Sequence, residues 1–138
     1  MICLTRRYAF PAAHVLRSEA LEDAENERIF GKCANPNGHG HNYGVEVSVA
    51  GAVDEQTGQI VPIEDLDRIF DRSVRERFSH RMLNELEPFA SCVPTAENIA
   101  RVIHDVLAPE VAQGTGASLV RVRIVETRRN MFEYGEMV

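Results

Sequence analysis

The stretch Gly31 to Tyr43, Gly-Lys-Cys-Ala-Asn-Pro-Asn-Gly-His-Gly-His-Asn-Tyr, holds one cysteine, two of the five histidines and three of the nine glycines. Neutral imidazoles are metal ligands, a thiol can deprotonate to a nucleophile or base, and clustered glycines let the backbone turn tightly around both. That composition belongs to a site rather than to a core segment. His39 and His41 are two residues apart, so on an extended backbone both rings point to one face while Gly40 leaves the other clear. Taken alone, a histidine pair at this spacing is a weak metal signal.

The same parity carries on through Tyr43, Val45, Val47 and Val49, whereas Asn42, Gly44, Glu46 and Ser48 fall on the opposite face. This alternation predicts a half-buried strand over about 39–52. Residues 2–14 read as another strand, with Ile2, Leu4, Tyr8, Phe10, Ala12 and His14 all at even positions. His14 therefore ends an apolar strand face. In isolation such a histidine is more often a packing residue than a ligand, and it becomes a ligand only by meeting His39 and His41.

The elements that must bring them together follow in order. Residues 18–28 are strongly acidic and suit a solvated short helix or an excursion joining the first strand to the glycine-rich loop. Asp54 to Gly58 supplies turn chemistry, ahead of a short extended piece expected around Ile60 and Val61. Pro62 opens an amphipathic helix whose apolar stripe is Ile63, Leu66, Ile69, Phe70 and Val74. The segment 78–86 is a loop with His80 at its centre. A second helix starts after Pro94, with Thr95 as its N-cap and Glu97 in the first turn. Its stripe is Ile99, Val102, Ile103, Val106 and Leu107, and Pro109 is expected to end it.

Gln113 to Gly116 read as a turn, and Leu119 to Glu126 as a third strand with Val120, Val122 and Ile124 on one face. Glu126 shares their parity, which puts a carboxylate at the edge of the core, where it must find donors or lose its charge. Phe132 and Tyr134 mark a final strand. The order ββααββ with short links predicts an α+β domain, a four-stranded antiparallel sheet with two helices on one face. At 138 residues, without repeat or linker, residues 1–138 form one domain.

A net charge of -6 with 26% charged residues argues against generic nucleic-acid or anionic-membrane binding, so any phosphate site must be local. Three cysteines suit a reducing compartment better than a disulfide framework. The first residues lack a signal-peptide pattern and no apolar run is long enough to span a membrane, so the expected location is the cytoplasm.

Five ordered motifs, covering nearly the whole chain, resemble the family of 6-pyruvoyl-tetrahydropterin synthase and its relative 6-carboxy-tetrahydropterin synthase. They are Phe10-Pro-Ala-Ala-His14, the long Phe30 to Tyr43, Val53-Asp54 with Thr57-Gly58, Pro94-Thr-Ala-Glu-Asn98, and Glu126-Thr127. The resemblance implies a tunnelling fold, in which the sheets of three subunits close a barrel and two barrels stack into a homo-hexamer. It implies a zinc ion held by His14, His39 and His41, with a fourth position open to the side-chain oxygens of 7,8-dihydroneopterin triphosphate, where the metal acidifies the neighbouring carbon-bound hydrogens.

The resemblance also carries roles onto other residues. Cys33 matches the catalytic base, which requires positive charge or a hydrogen-bonded partner to hold the thiolate; Lys32, His80 and the zinc are candidates. His80 matches the second proton-transfer residue, although Ser79 stands where the family has an aspartate that would orient the imidazole and favour its cation. Glu126 matches the anchor that accepts two hydrogen bonds from the pterin edge. Thr95 and Glu97 match pterin-pocket positions, and helix capping is an equally good account of Thr95. Arg128 and Arg129 either approach the triphosphate or face solvent. The implied reaction is elimination of triphosphate and rearrangement to 6-pyruvoyl-tetrahydropterin. Five residues separate Cys33 from His39, as in the pyruvoyl enzymes, whereas the 6-carboxy branch of queuosine biosynthesis, which releases acetaldehyde, usually has three. A pterin-binding or structural homologue that keeps zinc and oligomer but has lost turnover is the remaining alternative.

Overall fold

A computed structural model describes residues 1–136. Its sheet has the order β1-β2-β3-β4, all antiparallel, with β1 at Ile2–His14, β2 at His39–Gly51, β3 at Ser118–Val125 and β4 at Met131–Gly135. The first two strands pair over their whole length, from Ile2 opposite Gly51 to His14 opposite His39. A register shift at Ser48/Val49 lets β2 go on to pair with β3, a bulge that adds twist where the sheet meets its helices.

Helices cover one face. The run α2 (Ile63–Phe70), a π-helical turn (Asp71–Arg75) and α3 (Glu76–Phe78) lies against the sheet beside α4 (Ala96–Thr115), while α1 (Asp23–Phe30) fills the acidic excursion. Alternate residues of the strands, among them Phe10, Tyr43, Val45, Val47, Val122 and Ile124, are buried against Leu66, Phe70, Val74, Ile99, Ile103 and Leu107. Tyr8 stacks on Phe70 at 4.0 Å, and its hydroxyl donates to Asp67, which also takes both Arg6 donors, so β1 is pinned to α2. The helix-free face is charged: Glu46 pairs with Arg7 at 3.1 Å and with Arg123 at 3.3 Å, and Arg123 also bonds Glu133. No helix among the described residues is long and apolar enough to cross a membrane.

Three local expectations fail. Pro109 does not end its helix, which continues to Thr115 and closes on Gly116 at φ 78°, so residues 113–115 are helical rather than a turn. The proline lies on the exposed side, and Leu107 and Val111, both at most 1% exposed, hold the helix to the core on either side of it. Ile60 and Val61 form no strand, because both edges of β2 are already taken by β1 and β3; Val61 packs into the core instead. The third strand ends at Val125, so Glu126 stands just beyond it.

Candidate functional site

The β1–β2 ladder assembles the histidines. His14 is directly opposite His39, Ala12 opposite His41 and Phe10 opposite Tyr43, so one register brings three imidazoles and a phenol to the same face. Ring centroids are 4.5 Å apart for His14 and His39, 4.9 Å for His14 and His41, and 4.5 Å for His39 and His41. One ring nitrogen from each lies within 4.8 Å of the others. Just before β2, Gly38 takes φ +74°, and a Cβ there would come within 2.6 Å of Met82 Cε and 3.2 Å of the His14 carbonyl, so only glycine lets this loop close onto β1.

The donor set fits a metal. His39 Nδ1 and His41 Nε2 are buried without a hydrogen-bond partner, a costly state unless something else binds there. His14 is 0% exposed; its Nδ1 is 2.9 Å from the Pro94 carbonyl, and its Nε2 is 3.1 Å from His39 Nε2. Burial, together with the neighbouring histidines and against the pull of the Pro94 carbonyl, takes the His14 pKa down to about 4. Burial and His41 lower that of His39. Neutral imidazoles with free lone pairs are what zinc requires.

Cys33 lies in a short 3-10 turn, Gly31–Ala34, directly after α1, and its carbonyl accepts from the Leu16 amide at 2.7 Å. The half-buried thiol is pushed up, first by burial and then by the Glu126 carboxylate, so this chain's own groups hold it protonated. Glu126, 16% exposed, brings an oxygen to 3.6 Å from His41 Nε2. Lys32 is exposed and lines, with Glu27, Asn35, Pro36 and His39, a groove of about 640 Å³ beside the histidines.

Thr95 caps α4, accepting from the Asn98 amide at 3.3 Å, and follows the Pro94 whose carbonyl holds His14; Glu97 is exposed in the first turn. His80 is not joined to Cys33 or to the three histidines by any hydrogen bond among the described residues. It is exposed at φ 60°, its amide donates to the Pro11 carbonyl at 2.7 Å, and it opens on a groove that His41 also lines, with Pro11, Gly40 and Asn42. Beside it the Ser79 hydroxyl is buried without a partner. Arg128 and Arg129 are exposed. Sequence reasoning passed over Tyr43, assigned only to the apolar face: its hydroxyl lies 2.9 Å from His14 Nδ1. The signal was its parity with His39 and His41.

A four-stranded antiparallel sheet with its helices on one face is the tunnelling fold, and here three histidines converge at the end of its β1–β2 ladder. Residues 3–137 match the family model described as 6-pyruvoyl tetrahydropterin synthase, and the chain belongs to that family. The human 6-pyruvoyl tetrahydrobiopterin synthase is 40% identical over 132 residues, 95% of this chain and 89% of its own. The solved Caenorhabditis elegans 6-pyruvoyl tetrahydropterin synthase superposes with a TM-score of 0.87 at 37% identity, covering 99% of this chain and 96% of that one. An Archaeoglobus fulgidus protein, provisionally described as a 6-carboxy-5,6,7,8-tetrahydropterin synthase, is 39% identical over 88 residues, 64% of this chain and 67% of its own.

Proposed function

We propose that this chain is a zinc-dependent 6-pyruvoyl-tetrahydropterin synthase, a lyase that takes 7,8-dihydroneopterin triphosphate, eliminates triphosphate and rearranges the side chain to the 6-pyruvoyl product. The observation that carries the reading is the convergence of His14, His39 and His41, two of them with buried, unpartnered nitrogens, beside Glu126, whose carboxylate also acts on the Cys33 thiol. When bound, a zinc ion supplies Lewis acidity to the side-chain oxygens and lowers the acidity barrier of the adjacent C–H bonds.

The protein's own groups account for the rest. Glu126, only 16% exposed, offers the flat pair of carboxylate oxygens to the amino-pyrimidine edge of the pterin. Thr95 and Glu97 border that pocket at the start of α4, where free backbone amides add donors. Cys33 removes a proton from the side-chain carbon once its thiolate is favoured by positive charge beside it. His80 is the second proton-transfer group, with Ser79 rather than a carboxylate as its neighbour. Lys32 is the cation that shares the groove with His39.

The same reading extends to assembly: a homo-hexamer in the cytoplasm. Support comes from the sheet edges, where Ile2 of β1 and Met131 and Tyr134 of β4 are 56%, 59% and 39% exposed, apolar surface on open strands that another subunit can cover. Incubating the zinc-loaded protein with 7,8-dihydroneopterin triphosphate, and following triphosphate release with the mass of the pterin product, tests the proposal. The expected product is 6-pyruvoyl-tetrahydropterin. A 6-carboxy product with acetaldehyde would assign the chain to the other branch, and pterin binding without triphosphate release would make it a non-catalytic homologue.

A further inference from the structure

Two oxygens hold the His14 ring from behind. Nδ1 is 2.9 Å from the Pro94 carbonyl and 2.9 Å from the Tyr43 hydroxyl. A carbonyl only accepts, so the single hydrogen of the neutral ring sits on Nδ1, and Nε2 turns its lone pair toward His39 and His41. Tyr43 Oη then shares that hydrogen as a second acceptor.

The two acceptors come from unrelated parts of the chain. Pro94 is fixed by the start of α4: the preceding Val93 carbonyl accepts from the Thr95 amide at 2.8 Å and from Asn98 Nδ2 at 2.8 Å. Tyr43 is fixed by the β1–β2 ladder opposite Phe10, and its ring stands edge-on to His14 at 5.9 Å and tilted against His41 at 5.3 Å. With the carbonyl alone, the imidazole could swing about the Nδ1···O line. The second oxygen removes that freedom. Filling the volume needs no hydroxyl, Tyr43 is 0% exposed, and His14 Nδ1 is the one polar contact its oxygen makes among the described residues.

We propose that Tyr43 is a positioning residue of the metal centre, whose hydroxyl shares the His14 Nδ1 hydrogen with the Pro94 carbonyl and so fixes the direction of the His14 Nε2 lone pair. The inference rests on the three histidines being a metal site.

The test is Zn2+ affinity, measured by competition with a chromophoric chelator, for the wild-type protein and for Tyr43→Phe, which keeps the ring and removes the oxygen. The expected loss is about 10-fold to 100-fold, the usual effect of removing a group that orients a ligand. Affinity within about twofold of wild type overturns the role. A second measurement needs no substitution: histidine-selective 15N spectra of the metal-free wild type, with His14 assigned by its loss in His14→Gln, should have the proton on Nδ1. A proton on Nε2 overturns the proposal as well. Failure of the wild type itself to bind Zn2+ would instead sink the metal-site reading, which keeps the two failures distinct.

Discussion

His14 Nε2 lies 3.1 Å from His39 Nε2, across the last pair of the β1–β2 ladder. Only one hydrogen fits between the two nitrogens, so at neutral pH one ring donates to the other or both present lone pairs to a cation. Protonating either ring places a charge in a buried pocket next to an already crowded donor.

This sets the sign of a pH dependence. The His14 pKa is about 4 when folded, against an ordinary 6.5, so between these values the unfolded chain binds more protons and stability falls as pH falls. Above pH 6.5 the contribution is intact; it is lost progressively toward pH 4, to an upper limit of about 3 kcal/mol. His39, also lowered, acts in the same direction. Urea unfolding of the metal-free protein at pH 7.5 and 4.5 measures the difference, and bound zinc should be released over the same window. Equal stability at both pH values would refute the burial argument.

Cys33→Ala should leave the melting temperature and zinc content unchanged, because the residue sits in a half-buried turn held through its backbone carbonyl. Turnover should fall by about a hundredfold or more, the contribution of a positioned base. Single-turnover triphosphate release at saturating substrate is the measurement; wild-type turnover would remove Cys33 from the mechanism.

Ser79→Asp should raise turnover. The buried Ser79 hydroxyl has no partner, and a carboxylate next to His80 favours the imidazolium, raises its pKa and orients the ring. The gain should be largest on the alkaline limb of the pH–rate profile, where an unassisted imidazole is neutral. An unchanged profile with zinc content preserved would mean that His80 is not limiting.

Gly38→Ala should destabilise the protein by about 1–2 kcal/mol from the left-handed backbone alone, with more from the approach of the new Cβ to Met82 and the His14 carbonyl. Because that loop leads into His39, zinc affinity should weaken alongside the melting temperature. A variant with unchanged melting temperature and affinity would show that the loop relaxes without involving the site.

Strand parity and helical stripes are local, so β1, β2, the start of α4 under Thr95 and the faces carrying His14, His39 and His41 were all legible in the residue order. The glycine-rich loop advertised its chemistry in the same way. Other features depended on contacts between distant segments. Pro109 was read as a stop because the local cost of a proline is visible and the hold of Leu107 and Val111 on the core is not. Ile60 and Val61 looked extended, and only the full pairing of β2 left them without a ladder.

The residue order by itself determined which side chains face inward, since alternation depends on nothing beyond the chain's own period. The tertiary structure decided that His14 stands opposite His39, that the Pro94 carbonyl and the Tyr43 hydroxyl meet at one nitrogen, and that His80 shares a groove with His41. Those are matters of register and packing between segments 25 to 80 residues apart, and no local pattern encodes them.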